Sequence, residues 1–202
     1  MAISRFSSSR VTQGLPKYQS AWDQDGVAQG AIEPIAKYVA IGASGATGFD
    51  FRNIPQTYTD LLIVQYLRSN RAATTEQFWQ RFNDDATSAY SSNWVQGDGA
   101  SATSSNAQTQ TVANRFFIPA ASATANLFGI SQVHIMDYKS TSKFKTVLTR
   151  WNSDVSGSGT TGLSVGMWRS MNAIQTINVA TENGSVLTAG STIYLYGIRS
   201  AS

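Results

Sequence analysis

From Ile35 to the C terminus the chain alternates short runs of β-branched and aromatic residues with clusters of Gly, Ser, Asn and Asp. That rhythm predicts an antiparallel all-β domain. Ten strands follow from it: Ala36–Ala43, Thr59–Ser69, Gln77–Asn83, Asn93–Gln96, Gln110–Ile118, Ser131–Met136, Phe144–Trp151, Gly162–Trp168, Ile174–Ala180 and Ser191–Ile198. In "QTINVAT" Ile177 and Val179 alternate with Thr176 and Asn178, and in "TGLSVGMW" Leu163, Val165 and Met167 share one face. Both apolar faces are expected to point inward, because side chains alternate across a strand. Asn183-Gly184 suits a two-residue hairpin loop closing the last two strands. The tract "QGDGASATSSNAQTQT" is almost free of apolar residues and reads as an exposed loop from Gly97 to Thr109. "IPAASATANLFG", with Ala and Leu after Pro119, is the place for a short helix.

Residues 1–34 follow a different pattern. Ile3, Phe6, Val11, Leu15, Tyr18 and Trp22 come singly among Ser, Gln and Gly with no steady period. The expected organisation is therefore an extended N-terminal arm, 1–34, and a two-sheet, jelly-roll-like β-sandwich, 35–202.

Composition narrows the function classes. Of 202 residues only 13% are charged, against about 25% in average globular chains, so the expected surface is polar but mostly neutral. The net charge of +3 is mild, and Arg5, Arg10 and Lys17 meet no acid before Asp23. No nucleic-acid partner is called for. The absence of cysteine excludes disulfides, zinc thiolates and thiol nucleophiles. No run resembles a signal peptide or is long enough to span a bilayer, so the expectation is a chain made in a cytoplasm without membrane insertion.

Gly42, Gly45 and Gly48 in "YVAIGASGATGFDF" have the spacing of a dinucleotide fingerprint, which requires a helix directly after the turn. The continuation "FDFRNIPQTYTD" alternates and is broken by Pro55, so strand, glycine turn and strand is the better reading, and no cofactor is expected. "DQDG" at Asp23–Gly26 opens like a calcium loop but has Pro34 where the bidentate Glu belongs. Asp84 and Asp85 are assigned to a turn. His134, the one histidine, lies between Val133 and Ile135 and faces away from them. With no nucleophile elbow and no recognisable pair of catalytic carboxylates among few glutamates (Glu33, Glu76, Glu182), enzymatic chemistry is not expected. Trp79, Trp94, Trp151, Trp168, Tyr90 and Tyr138 are rings suited to stacking on sugars or to packing the core. Tyr90 and Trp94 flank the polar tract and are expected to be exposed, the two candidates for glycan contact.

Four motifs in register then carry a resemblance: "IPQTYTDL" at Ile54–Leu61, "FNxDxxxxYS" at Phe82–Ser91, "GLxxGxW" at Gly162–Trp168 and "LYGI" at Leu195–Ile198. They, and the opening "ISRFSSSRVTQGLPKYQSAWD", resemble virion proteins of tailed bacteriophages, many infecting marine bacteria. The resemblance implies a β-sandwich displayed on the particle as part of a tail fibre, spike or other appendage, with no cofactor. It also admits a head-decoration protein stabilising the capsid. The arm would then dock on another virion protein, with charge-assisted contacts from Arg5, Arg10 and Lys17 and anchors from Phe6, Tyr18 and Trp22. Family analogy implies a homotrimer and localisation in the virion, assembled in the host cytoplasm, with host surface glycan as a further partner. A free carbohydrate-binding module and a polysaccharide-degrading enzyme are the readings from other classes.

Overall fold

The computed structural model describes residues 32–41, 46–155 and 157–199. Among them are twelve strands: β1 (Ile32–Val39), β2 (Gly48–Phe51), β3 (Asp60–Leu67), β4 (Thr75–Phe82), β5 (Tyr90–Gly97), β6 (Ala102–Gln110), β7 (Asn114–Pro119), β8 (Gly129–Met136), β9 (Lys145–Asp154), β10 (Gly159–Trp168), β11 (Ile177–Thr181) and β12 (Thr192–Ile198). They pair antiparallel in two sheets, of order β1-β12-β3-β8-β9-β10-β5-β6 and β2-β11-β4-β7. The expected all-β two-sheet sandwich is the observed fold.

Alternation explains the inner faces. In β3, "DLLIVQYL", Leu61, Ile63, Gln65 and Leu67 are buried; in β4, "TEQFWQRF", Glu76, Phe78, Gln80 and Phe82 are. With Val133, Ile135, Val147, Phe116, Ile118, Ile177, Val179, Ile193 and Leu195 they form one core between the sheets. The small sheet covers only part of the large one: β7 packs across β8, β9 and β10, whereas β6 is exposed along nearly its whole length.

Several expectations are corrected. The face of β10 that points inward is Gly162, Ser164, Gly166 and Trp168, while Leu163 and Val165 are exposed. The two glycines decide this. A Cβ on Gly166 would stand 2.1 Å from the Ala113 carbonyl oxygen, and one on Gly162 would stand 2.3 Å from the Trp151 ring. Only a strand face without side chains at those two positions admits those neighbours.

The tract read as a loop from Gly97 to Thr109 is a hairpin instead, turning at Gly97–Ser101 into β6, which pairs with β5 from Gly97↔Ala102 to Tyr90↔Gln110. No helix forms after Pro119. The Arg68 guanidinium donates to the carbonyls of Ala121, Ala123, Thr124 and Leu127, at 3.3, 2.9, 2.7 and 3.0 Å, and so claims acceptors that a helix would need for its own amides.

Asn183-Gly184 does not close a hairpin between the last two strands, because β11 and β12 lie in different sheets. It begins the crossing between them, with only Gly184 at positive φ (67°) and with the Asn183 amide donating to Glu76 Oε1 at 2.7 Å. The glycine-rich stretch does run strand to strand: β1 precedes it, and Gly48 opens β2. Gly42 and Gly45 lie outside the described residues. β1 starts at Ile32, so the sheet includes residues 32–34, placed in the arm by sequence.

Candidate functional site

Residues of the four motifs make internal contacts, the second motif to the third and the first to the fourth. Asn83, at φ 50°, accepts the amides of Gln175 and Thr176 on Oδ1 and donates to the Ala173 carbonyl. Asp85 Oδ2 accepts from Trp168 Nε1 at 2.7 Å, and Trp168 stacks on Tyr90 with centroids 6.2 Å apart and planes 15° from parallel. Tyr58 lies over Gly197, where a Cβ would meet its ring at 2.3 Å. Tyr138 donates its hydroxyl to the Pro55 carbonyl. These motifs are the packing keys of the sandwich.

Tyr90 is therefore not a surface residue. It is fully buried, its hydroxyl accepting from the Phe82 amide at 3.1 Å and donating to the Phe82 carbonyl at 3.3 Å. Burial pushes its phenol pKa up. The first position of β5 lies under the small sheet, and sequence proximity to a polar tract says nothing of that cover. Trp151, Trp168 and Tyr138 are buried too, whereas Trp79 lies half-buried on the outer face of the small sheet with the Arg81 guanidinium 4.7 Å from its centre.

Trp94, four residues on, is half-buried and lines a pocket of about 170 Å³ where the small sheet ends over β5 and β10. The floor is Ser92, Trp94 and Gln96 of β5 with Ser164 of β10 and Trp151 of β9; the rim is Gln77, Val112, Asn114, Arg115 and Phe117. Arg115 is held away by Gln110 at 2.8 Å and Glu182 at 3.3 Å. Behind this wall Asn114 Oδ1, Trp151 Nε1 and Ser164 Oγ are buried with no partner among the described residues, although the Asn114 amide donates to Thr149 Oγ1. Trp151 is among the rings suited to stacking, whereas Asn114 and Ser164 escaped the sequence reading because they come from separate strands with no local motif.

The structure also assembles a carboxylate pair. On the outer face of the small sheet Asn178 Nδ2 bridges Asp50 at 2.8 Å and Asp84 at 2.6 Å, and Arg52 bonds both, at 2.8 and 3.0 Å. Hydrogen bonds from Arg52 and then Asn178 hold the Asp84 carboxyl below its usual range. A glycosidase needs one carboxyl raised to act as acid, so this pair is built as an ion-paired clamp on the Asp84–Asp85 turn. His134 faces away from buried Val133 and Ile135, with Nε2 2.9 Å from Asp60, whose other oxygen accepts the Asp137 amide. Its partner is a structural carboxylate and not a nucleophile. Among the described residues no group of three His, Cys, Asp or Glu is placed to hold a metal.

Arg5, Phe6, Arg10, Lys17, Tyr18 and Trp22, the expected anchors, and Asp23–Gly26 lie outside the described residues. At the start of β1, Glu33 accepts from Arg199 at 3.0 and 3.2 Å and from the Tyr58 hydroxyl at 3.0 Å, while the guanidinium sits 4.9 Å from the Tyr58 ring centre. The Arg199 bond lowers the Glu33 carboxyl pKa against the opposing effect of burial. No protein-family model and no curated protein matches the chain.

Proposed function

We propose that this chain is a structural module of a tailed-phage virion, of the tail-fibre or spike kind. The residues before β1 tether it to another virion protein, and the sandwich faces outward with Trp94 as its contact to host surface glycan. The observation that supports a binding role is the pocket beside Trp94: its lining holds indole rings, amides, hydroxyls and one paired guanidinium, and no carboxylate or imidazole. Aromatic faces with neutral hydrogen-bonding groups suit sugars. Hydrolysis would need a positioned acid and base.

The test pairs two variants in the phage. Deleting residues 2–22 abolishes incorporation into particles while the isolated body still melts cooperatively; normal incorporation refutes the tether. Trp94→Ala leaves incorporation intact and lowers host adsorption; unchanged adsorption refutes the glycan contact. Cryo-EM of the particle separates the alternatives, since copies ordered over the capsid lattice mean head decoration. Glycan binding by the soluble chain with no particle association means a free carbohydrate-binding module.

A further inference from the structure

Four strands form sheet edges among the described residues, and three are blunted. β1 carries Pro34, Glu33 and Lys37 and breaks register between Pro34 and Ala36. β2 has four residues and leads into the Asp50–Arg52–Asp84 cluster. β7 ends on Pro119, bears Arg115 and packs onto the large sheet. Proline, charge, brevity and bulges are the devices by which edges avoid pairing with other chains.

β6 lacks charge, proline and brevity, and its one bulge lies near its far end. Its nine residues, "ATSSNAQTQ", contain no charge and no proline. From Ala102 to Ala107 its ladder with β5 is regular, the irregularity falling near the far end, where Thr109 has φ 56°. Over these six residues the outward amides and carbonyls, carried by every second residue, form an unbroken row. Most of its side chains are exposed on both faces, so the monomer gives β6 backbone bonds to β5 and almost no packing. It is the edge of the eight-stranded sheet and, among the described residues, is held there by β5 alone.

We infer that β6 pairs antiparallel with β6 of a second copy, joining the two large sheets across a two-fold axis. The occupant follows from charge and symmetry. A neutral strand meets its own copy with no like-charge cost, and small Ser, Thr, Ala and Asn side chains leave both faces of the seam uncrowded. The other described edges offer a charged, short or interrupted partner. An isologous two-fold contact is also the commonest way identical chains associate. With the axis at Ser105, Ser104 of one copy lies opposite Asn106 of its mate. This contact stands independently of the virion reading.

Light scattering coupled to gel filtration, on the full chain at micromolar concentrations, tests it. Wild type runs at about twice the 21.8 kDa chain mass. The double variant Ser104→Lys/Asn106→Lys sets lysine against lysine and weakens the dimer by about tenfold or more. Ser104→Glu/Asn106→Glu does the same, and mixing the two variants restores the dimer. Both unfold as cooperatively as wild type and melt where wild type does when diluted to monomer, since these side chains pack on little. Hydrogen exchange of the β6 amides slows as concentration rises. A monomer throughout the range overturns the inference. So does any oligomer, threefold included, that both variants leave unchanged, or a mixture that fails to pair.

Discussion

Replacing Tyr90 and Trp94, two aromatics four residues apart on one strand, should give opposite phenotypes, and the size of the difference can be worked out. Tyr90→Ala removes a fully buried ring from a three-ring cluster with Trp168 and Phe82, whose centroids each lie 6.2 Å from it and 5.8 Å from one another. Deleting a buried aromatic costs about 3–5 kcal/mol. The Phe82 amide, which donates to the hydroxyl at 3.1 Å, is left unpaired at about 1–3 kcal/mol more. The loss of about 4–8 kcal/mol rivals the whole stability of a typical domain and lowers the melting temperature by roughly 8–32 °C. Tyr90→Phe keeps the ring and removes only the hydroxyl, for about 1–2 kcal/mol. Trp94→Ala, at a half-buried indole, costs about 1–2 kcal/mol. Urea denaturation of the three variants, read by tryptophan fluorescence and checked by calorimetry, gives the order Tyr90→Ala far below Tyr90→Phe and Trp94→Ala. A Tyr90→Ala loss under about 1 kcal/mol would refute the packing argument. A Trp94→Ala loss as large as that of Tyr90→Ala would make Trp94 a core residue and remove it from the pocket's binding role.

Two further outcomes follow from local geometry. Glu33 has a lowered carboxyl pKa through Arg199, so its stabilisation is complete above the ordinary carboxylate range and is lost as pH falls through the folded-state value. Glu33→Gln therefore lowers the melting temperature at neutral pH and converges with wild type in acid; a constant offset across pH contradicts the ion pair. Arg68→Met frees four carbonyls of residues 121–127 and should cost about 2–4 kcal/mol. Amide exchange at 120–127 then speeds up, and unchanged exchange there means the segment holds itself.

The sequence determined the strands wherever alternation and burial coincide. "DLLIVQYL", "QVHIM" and "TIYLYGI" each lie in a strand, and the inward sides of β8 and β11 are those their apolar residues select. It determined the absence of thiol chemistry and the strand-to-strand course of the glycine-rich stretch, because both rest on residue type and local chain bias. It did not determine which face of β10 is the core, since Leu163, Val165 and Met167 outrank Gly162, Ser164 and Gly166 in hydropathy. That choice belongs to Trp151 and Ala113, which reach the strand from elsewhere and tolerate no Cβ beneath them. β6 was illegible for a related reason: a strand with almost no buried side chain has no hydrophobic period, and only its ladder with β5 makes it one. The pocket is tertiary throughout. Trp94, Trp151, Asn114 and Ser164 come from four strands of two sheets, and their meeting depends on where the small sheet stops, a property of sheet registry that no local pattern encodes.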